Sequence, residues 1–423
     1  MPKLFPNSSL AGLRTRRGGR GNFAVRDSKA NPAGGFRNTL RTATLGGWGG
    51  RPARRRRERR RPFCCPHVGR PLNLSDQPPN APRPPDGEPA TTDAPVGPDG
   101  DSAGHSDGSA TSRRRIAVLG SLNMDLVLQC RTLPAAGETT LTKSSQEVPG
   151  GKGGNAAVAA ARASTGTTLP IEVKMLGAVG RDARGETLRK HLRDCGVDAD
   201  GVRTVRDATS GLAVVAVDER GENMILVDSG ANARLLPGDM EGYRETIASA
   251  DLLMLQCEIP IGLVARAIEI AREVGTPVLL DPAPAPVPIP DVLFQVDFLC
   301  PNQAEVHAMT GRRVKSVGDA SAAAKMLVGR GAKHVAVTLG AGGVWYADRD
   351  RSKHIAAPKI DAVDTTAAGD ALAGAAAAMF LQTGDWLLAM PYAVAAGTWA
   401  ASKMGAGPSL GTPSEIRSLM SID

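Results

Sequence analysis

The sequence of residues 113–423 predicts an α/β fold with a doubly wound, mostly parallel sheet, helices on both faces and a small β-sheet lid. Short apolar runs that close in Gly or Ser, such as residues 116–119, have the length and composition of buried strands. Helical patterns such as residues 261–274 alternate with these runs, and repeated strand–helix units favour a parallel sheet. Residues 211–227 depart from this scheme, because two β-type runs flank a short turn and indicate a hairpin. We expect such hairpins to form the lid over one edge of the site.

The individual elements follow from the same patterns. An Ala-rich segment behind a glycine cluster indicates the first helix, and the longest apolar run, which follows Asp370, indicates a buried helix. That run is too short to cross a bilayer, which needs about 20 apolar residues. The lid is expected at roughly residues 124–147 and 205–230. The other predicted strands are residues 116–119, 251–255, 277–280, 298–302 and 334–339, and the predicted helices are residues 155–163, 261–274, 320–329 and 370–383.

Residues 1–62 are rich in Arg, Gly and Ser and contain only two acidic residues, Asp27 and Glu58. This composition is typical of an organelle transit peptide, with a plastid favoured over a mitochondrion and the cytoplasm as the alternative destination. An inert extension and a nucleic-acid contact through the Arg-rich run at residues 54–61 are the other interpretations. Residues 63–112 are rich in Pro, Gly and Asp, so we expect a disordered linker ahead of one α/β domain at residues 113–423.

The basic character of the chain belongs to its N-terminal segment. The formal net charge is +8, but residues 1–112 hold 19 Lys and Arg against 9 Asp and Glu, which leaves 32 against 34 in residues 113–423. A nearly neutral domain does not favour nucleic acid as its partner. The six cysteines lack zinc-ligand spacing, and we expect them to be free thiols.

A glycine-rich motif, Gly-Gly-Lys-Gly-Gly-Asn at residues 150–155, precedes the first predicted helix. Glycines let the backbone approach a ligand closely, and Asn155 at the helix start can donate and accept hydrogen bonds. The spacing is not that of a Walker phosphate-binding loop. The motif therefore indicates either a ligand pocket or a glycine-rich turn before a helix.

A second motif, Asp-Thr-Thr-Ala-Ala-Gly-Asp at residues 364–370, ends at the start of an apolar helix. Unpaired N–H groups and the positive dipole end at a helix N-terminus can stabilise the developing charge of a phosphoryl group. A carboxylate in that place can accept a hydroxyl proton. By itself, Asp370 is explained equally well as an N-cap, since Asp is favoured there.

Two further motifs follow predicted strands. The spacing of Asn302 and Glu305 allows an amide and a carboxylate to hold Mg²⁺ through water, although a solvated helix start has the same spacing. Thr-Leu-Gly-Ala-Gly-Gly at residues 338–343 is a strand with a glycine turn, which suits the cover of a nucleotide. Because ligands collect beyond the carboxyl ends of the strands in open α/β sheets, we expect the four motifs to converge on one rim.

Together the four motifs resemble the PfkB family of carbohydrate kinases, and the resemblance covers nearly all of residues 113–423. Further similar segments are residues 120–125, 229–232, 281–285 and 405–409. The resemblance implies ATP-dependent phosphorylation of a sugar, with the 5-hydroxyl of D-ribose as the expected acceptor. It implies Asp370 as the general base, with the backbone N–H groups of Ala368, Gly369 and Asp370 as an anion hole. The implied substrate-binding residues are Asn123, Asp125, Gly151, Lys152, Asn155, Glu258 and Asp370, and the implied nucleotide-binding residues are Asn302, Thr338, Gly340, Gly343 and Gly369.

The resemblance also implies cofactors and partners. Mg²⁺ is expected at Glu305 and Asn302 through water, and an activating monovalent cation, K⁺, is expected to orient the anion-hole loop. The partner is a small sugar, with no membrane contact, and a homodimer through the lid is consistent with the family. Lys403 replaces an Arg common near the cation, which removes no reacting group. The implied K⁺ residues are Asp364, Thr366, Ala400, Lys403, Gly405 and Ser409.

Three alternatives remain. Another small sugar or a nucleoside could be the acceptor, but Asn123, Asp125 and Glu258 favour a small polyol, and an aromatic content of 3% offers little to a nucleobase. A catalytically silent sugar-binding protein is the second alternative, against which the intact Asp370 and Gly369 argue. The third is that the Arg-rich tail is the working part and binds nucleic acid.

Overall fold

The computed structural model describes residues 113–420, so the predicted transit peptide and linker lie outside the described residues. Within this range the chain alternates between strands and helices, with short 3₁₀ turns between some of them. The strands are β1 (Arg114–Leu119), β2 (Asn123–Cys130), β3 (Thr142–Gly150), β4 (Ile171–Gly180), β5 (Val197–Asp198), β6 (Val202–Val205), β7 (Gly211–Val217), β8 (Asn223–Asp228), β9 (Leu252–Gln256), β10 (Val278–Asp281), β11 (Phe298–Leu299), β12 (His334–Thr338), β13 (Val344–Asp348) and β14 (Ser352–Ile355). The helices are α1 (Lys152–Ala163), α2 (Ala183–Asp194), α3 (Arg244–Ala248), α4 (Ile261–Val274), α5 (Gln303–Thr310), α6 (Val317–Gly329), α7 (Ala368–Thr383), α8 (Trp386–Ala401), α9 (Ala406–Ser409) and α10 (Pro413–Met420).

The main sheet has the order β14-β13-β12-β11-β10-β9-β1-β4-β5, and β6 pairs with the far end of β4. Pairing is parallel from β12 to β5, while β13 and β14 add an antiparallel edge. The chain leaves β1 for β4 on one side and later returns to β9 on the other. This change of direction beside β1 is a topological switch point, where open α/β sheets bind ligands.

Helices cover both faces of the main sheet, as the sequence predicts. Alternate residues of β1 enter two different cores, with Ile116 and Val118 on one face and Ala117 and Leu119 on the other. The first core packs against α1, α7 and α8, and the second against α4 and α6. A strand that is buried on both faces needs a continuous apolar run, which explains the pattern read from the sequence.

Helices α1 and α7 pack unusually closely through small side chains. A Cβ atom added to Gly374 would lie 2.6 Å from Ala159 Cβ and 2.7 Å from both Ala156 O and Ala160 N. Only a glycine allows this approach, because real Cβ atoms do not come so near to neighbouring backbone. The contact brings the first turns of the two helices side by side.

A separate four-stranded sheet has the order β3-β2-β7-β8. Two antiparallel hairpins, β2–β3 and β7–β8, are joined by parallel pairing between β2 and β7. The small sheet beside the main one is therefore confirmed. Its outer strand, β8, exposes every residue to solvent. None of the helices in the described range is long and apolar enough to cross a membrane.

Candidate active site

Asp370, the predicted base, lies in the first turn of α7. The first helical hydrogen bond runs from Ala371 N to Ala367 O, so the three preceding N–H groups have no partner one turn earlier. Of these three, Ala368 N donates to Thr365 O at 3.2 Å. The N-cap position belongs to Ala367, whose side chain makes no cap hydrogen bond. The cap interpretation of Asp370 is therefore wrong, because Asp370 is the third residue of α7 and its carboxylate accepts a hydrogen bond from Asn155 instead.

The backbone ahead of this turn is strained. Ala367 has a φ of 60°, the left-handed region that L-residues with a Cβ adopt at a cost of about 1–2 kcal/mol. Such conformations persist where the surrounding structure enforces them, and they cluster at functional sites. Here the strained residue is the N-cap of α7, so its conformation sets the direction in which the helix starts.

Asn155 holds the carboxylate of Asp370. Asn155 Nδ2 donates to Asp370 Oδ2 at 2.9 Å, across the close contact between α1 and α7. Burial raises the pKa of Asp370 above its ordinary value, the Lys152 charge and the Asn155 hydrogen bond oppose that rise, and Glu258 adds to it. A carboxylate kept from water with a single amide donor is a better proton acceptor than a solvated one.

Glu258 closes the other side of the pocket. Its Oε2 accepts hydrogen bonds from Ser121 Oγ at 2.5 Å, Lys152 N at 3.2 Å and Asn123 Nδ2 at 3.4 Å. Glu258 follows β9, whereas Ser121 and Asn123 follow β1, so the pairing of these strands brings the groups together. No role for Ser121 was predicted, although it lies within the similar segment at residues 120–125.

Asn232 fixes the amide of Asn123, another contact that the sequence did not predict. Asn232 Nδ2 donates to Asn123 Oδ1 at 2.8 Å, and Asn232 is also bound to both backbone groups of Leu122 at 3.0 and 3.1 Å. Asn232 is buried, so these bonds are shielded from water. They leave the Nδ2 group of Asn123 free to face Glu258.

The glycine motif serves as both a turn and a pocket wall. A Cβ atom on Gly150 would lie 2.2 Å from Asp125 Oδ2, and one on Gly151 would lie 2.6 Å from Asn123 N. Gly151 also has a φ of 88°, which a side chain would disfavour. The glycines therefore let the start of α1 lie directly against Asn123 and Asp125 of β2.

Lys152 is the positive charge that joins the motifs. Burial lowers its pKa, but the carboxylates of Asp370, Asp281, Glu258 and Glu305 outweigh burial and raise the pKa above the ordinary value. These four residues come from four different segments of the chain. Their common effect on one ammonium group places the predicted base, the Glu258 pocket and the Asn302–Glu305 motif at one rim.

Asp125 is perturbed in the same environment. Burial raises the pKa of its carboxyl to about 7, the charges of Glu258 and Asp370 add to the rise, and Lys152 opposes it. A carboxyl group with a pKa near 7 can change from hydrogen-bond acceptor to donor over the physiological range.

Asn302 and Glu305 form a capping box at the start of α5. Asn302 Oδ1 accepts from Ala304 N at 2.8 Å and Glu305 N at 2.9 Å, while the two oxygens of Glu305 accept from Asn302 N and Nδ2 at 2.7 Å each. Asn302 also pairs with Thr338 in an isolated parallel bridge, which joins the third and fourth motifs. Glu305 is buried, so the solvated helix start considered above is wrong for this carboxylate.

These residues fit a magnesium ion held through water. Burial raises the pKa of Glu305, against the hydrogen bonds from Asn302 and the charge of Lys152. Two of about four lone-pair positions on its carboxylate are occupied by Asn302, which leaves the others for water. Within residues 113–420, no three His, Cys, Asp or Glu side chains form a metal-binding group. Mg²⁺ that binds by one or two carboxylates, waters and substrate phosphates needs no such group.

The glycine turn after β12 has one side fixed and one side open. Gly343 has a φ of 85°, and a Cβ atom there would lie 2.1 Å from Ile355 O, so β14 excludes a side chain. Leu339 N donates to Gly343 O at 2.8 Å and closes the turn. Gly340, with a φ of 56°, has nothing within 4 Å in the Cβ direction. The open side of the turn leaves room for a planar nucleobase.

The predicted cation residues fall into two segments that Asp364 joins. Its Oδ1 accepts from Thr366 N at 2.9 Å and Thr366 Oγ1 at 2.6 Å, and its Oδ2 accepts from Gly405 N at 2.9 Å. Burial opposes, but these hydrogen bonds lower the pKa of Asp364 below its ordinary value. Asp364 is therefore an anion that fixes the backbone of both segments.

Of three other predicted cation residues, Ala400 and Lys403 can contribute only their backbone oxygens, whereas Ser409 also has a hydroxyl oxygen. Lys403 Nζ lies 4.4 Å above the ring of Trp399, and Ser409 Oγ donates to Ala406 O at 2.6 Å. Ala400 is buried and has no polar side chain. Carbonyl oxygens are suitable ligands for a large monovalent cation.

Two buried polar residues beneath the pocket were assigned no role from the sequence, although Asp281 begins the similar segment at residues 281–285. Gln256 is 1% exposed, and neither of its side-chain polar atoms finds a hydrogen-bond partner among the described residues. Asp281, its neighbour in the β9–β10 register, is buried, and burial together with Glu305 holds its pKa well above the ordinary value. Both lie at the carboxyl ends of their strands.

Comparison with known proteins places this geometry in a family. Residues 113–413 match the pfkB family carbohydrate kinase. The chain is 34% identical over 303 residues to a ribokinase of Haemophilus influenzae, covering 72% of this chain and 97% of the relative. It is 36% identical over 281 residues to a deoxyribokinase of Salmonella typhimurium, covering 66% of this chain and 90% of the relative. The structure of Arabidopsis thaliana ribokinase complexed with ribose and ATP is similar with a TM-score of 0.68 at 30% identity, covering 74% of this chain and 100% of that one.

The match extends over the main sheet, the small sheet and every motif described above. The resemblance read from the sequence is thereby confirmed at the level of the fold and the family. The chain belongs to the pfkB family of carbohydrate kinases, and it is a phosphotransferase that acts on a sugar hydroxyl.

Proposed function

We propose that the chain transfers the γ-phosphoryl group of ATP to the 5-hydroxyl of D-ribose and releases ribose 5-phosphate and ADP. The observation that carries this proposal is the buried carboxylate of Asp370, held by Asn155 beside the N-terminus of α7. A base at that place meets both the acceptor hydroxyl and the charge that develops on the phosphoryl group. D-ribose is proposed as the acceptor because similar proteins are named ribokinase.

In the proposed mechanism, Asp370 accepts the proton of the sugar 5-hydroxyl while the hydroxyl oxygen forms a bond to the γ-phosphorus of ATP. The bond between the γ-phosphorus and the bridging oxygen breaks, and that oxygen leaves with ADP. The N–H groups of Gly369 and Asp370 face the transferred group as an anion hole, and Ala368 joins them once its bond to Thr365 is released. Lys152 stabilises the negative charge on the opposite side. Mg²⁺, held through water by Glu305 and Asn302, would neutralise charge on the nucleotide phosphates when bound.

The sugar pocket of this proposal consists of groups that hydrogen-bond to hydroxyls. Asn123 and Asp125 reach it from the small sheet, Glu258 from the main sheet, and Gly151, Lys152 and Asn155 from the start of α1. The Glu258 carboxylate, already oriented by Ser121, is a fixed hydrogen-bond acceptor. It disfavours a sugar analogue that lacks the hydroxyl group to donate to it. The nucleotide lies along Asn302, Thr338, Gly340, Gly343 and Gly369.

A monovalent cation, K⁺, is part of the proposal and binds near Asp364. Its ligands are oxygens of Thr366, Ala400, Lys403, Gly405 and Ser409. The cation orients the loop that leads into Ala367 and the anion hole, and takes no part in bond making.

A homodimer through the small sheet is supported by its edge. Strand β8 exposes Met224, Ile225, Leu226 and Val227, with Leu226 65% exposed. Unpaired edge strands with apolar side chains are sites of association. Sedimentation equilibrium of the chain measures this state directly.

Separately, the composition of residues 1–62 supports delivery to a plastid, which a fluorescent fusion of that segment tests.

The decisive test is an acceptor panel for the full chain with ATP, Mg²⁺ and K⁺. D-ribose, 2-deoxy-D-ribose, fructose and adenosine are compared by ADP release, and the product is identified by phosphorus NMR. We expect the highest kcat/KM for D-ribose and a 5-phosphate product. A preference for 2-deoxy-D-ribose would replace the acceptor but keep the mechanism, whereas absence of sugar-dependent ADP release would contradict the kinase proposal itself.

Asp370→Asn keeps the shape and hydrogen-bonding capacity of the side chain but removes the base. We expect kcat to fall about 10²–10⁴-fold, with ribose binding still measurable by calorimetry. A variant with near-normal kcat would show that another group accepts the proton.

A further inference from the structure

Arg162 lies in the last turn of α1, the helix that carries Asn155 near its start. Its half-buried side chain extends to a short segment behind α8, residues 405–410, which we call the cation loop. Arg162 Nη1 donates to Gly407 O at 2.8 Å and to Leu410 O at 3.0 Å. One guanidinium group therefore holds two carbonyl groups of the same loop.

The cation loop is held from its other end by an anion. Asp364 Oδ2 accepts from Gly405 N at 2.9 Å, so a carboxylate binds the start of the loop and a guanidinium binds its end. Ser409, between the two carbonyls that Arg162 binds, is fully buried. Neither Gly407 nor Leu410 is among the residues predicted to bind the cation. Arg162 therefore fixes the peptide units beside those ligands and leaves the ligand oxygens themselves free.

The loop also contacts the strand that leads into the glycine motif. A Cβ atom on Gly407 would lie 3.6 Å from Pro149 O and 3.6 Å from the ring of His191. Pro149 is in β3, directly ahead of the glycine motif at residues 150–155. The sugar pocket and the cation loop thus share a support made of β3 and α1.

We propose that Arg162 is a positioning residue for the monovalent cation: it holds the carbonyl groups of the cation loop at the spacing that K⁺ binding requires. Through α1 it also ties this loop to Asn155 and the base. The inference rests on the cation site of the proposed function.

The physical reason lies in how K⁺ is bound. K⁺ is coordinated by several carbonyl dipoles, and both affinity and selectivity depend on their number and placement. A planar guanidinium with several donors fixes two acceptors in one geometry, whereas a lysine ammonium is a single mobile point charge. The added positive charge is offset nearby: hydrogen bonds from Thr412 lower the pKa of Glu415, and the charges of Lys403 and Arg162 lower it further.

The test compares the full-length wild-type chain with Arg162→Met, Arg162→Lys and a matched control, Arg189→Met. Arg189 is also a partly buried helical arginine that donates to a backbone carbonyl, Ala199 O at 3.3 Å, but it belongs to α2 and does not touch the loop. Ribose-dependent ADP release is measured against KCl concentration, with tetramethylammonium chloride keeping the ionic strength constant. Thermal stabilisation by KCl is measured in parallel.

We expect Arg162→Met to raise the K⁺ concentration for half-maximal activation about tenfold, as the loss of charged hydrogen bonds predicts, and Arg162→Lys to raise it by less. The KM for ribose at saturating K⁺ and the control should stay near wild type. If Arg162→Met does not fold, Arg162→Lys carries both measurements. An unchanged K⁺ response in the Arg162 variants, or the same change in the Arg189 control, overturns the inference. A wild-type chain without any K⁺ response refutes the cation site itself.

Discussion

One added methyl group at Gly374 should separate the proposed base, Asp370, from Asn155, the residue that holds its carboxylate. The new Cβ atom would lie 2.6 Å from Ala159 Cβ, whereas an ordinary contact begins at 3.4 Å. Helices α1 and α7 must therefore move apart by about 0.8 Å. A rigid shift of that size lengthens the 2.9 Å bond between Asn155 and Asp370 to about 3.7 Å, which is no longer a hydrogen bond.

Gly374→Ala has two opposing effects on the free energy of unfolding. Alanine favours a helix over glycine by about 1 kcal/mol, but overpacking in a close contact costs about 1–3 kcal/mol. We expect a net loss, seen as a melting temperature lower by about 2–6 °C. We also expect kcat to fall by up to about 100-fold, because a shift near 1 Å in a reacting group has effects of that order.

The pH profile gives the most specific measurement. The hydrogen bond from Asn155 opposes the rise in the pKa of Asp370, so its loss raises that pKa further. Asp370 is then protonated at a higher pH, and the acid limb of the kcat/KM profile moves to higher pH. Gly329→Ala is the control, since this helical glycine has nothing within 4 Å of a new Cβ atom. If Gly374→Ala melts no lower than wild type and keeps its pH profile, the packing argument is refuted.

Three further predictions follow from the same contacts. Asn155→Leu should move the acid limb of kcat/KM to higher pH even where the melting temperature is unchanged; an unmoved limb would separate Asn155 from the base. Asp125→Asn should raise the melting temperature at pH 8 but hardly at pH 4, because the folded pKa of about 7 lies above the usual 3.8 and the charged form destabilises the fold only at higher pH. Equal shifts at both pH values would contradict that pKa. Asn302→Ala should lower stability by about 0.5–2 kcal/mol through the lost cap of α5 and raise the Mg²⁺ concentration needed for half-maximal rate; stability loss alone would leave the residue a cap.

Local patterns predicted the main sheet well because its elements depend on short-range signals. The helix predicted at residues 261–274 is α4 with the same bounds, and the apolar run at residues 116–119 is the buried part of β1. The hairpin around residues 211–227 is β7–β8. The parallel pairing of β2 with β7 was not predictable, since no local pattern records a partner more than 80 residues away in the chain.

The site was predictable as a set of motifs but not as a set of contacts. For Asp370 the sequence allowed a cap or a base, and only the position of Ala367 as the N-cap excludes the cap. For Asn302 and Glu305 the metal motif and the capping box use the same spacing, and the structure contains the box. Arg162 carried no signal, because its acceptors lie more than 240 residues away.

The charges of the site explain why it should depend on cations. Burial raises the pKa of Asp125, Asp281, Glu305 and Asp370, and one ammonium group, Lys152, lies among these carboxyls. A carboxyl whose pKa is raised by folding destabilises the fold as the pH rises from its unfolded to its folded value. At neutral pH these carboxyls therefore destabilise the fold through negative charge that Lys152 alone does not neutralise. In the proposed function, a cation that enters with the nucleotide relieves that destabilisation, so part of its binding free energy comes from the carboxyls already in place. Burial is the main cause of the raised pKa of Asp370, the Glu258 charge adds to it and the Lys152 charge opposes it, so the strength of the proposed base depends on its burial and on the charges around it.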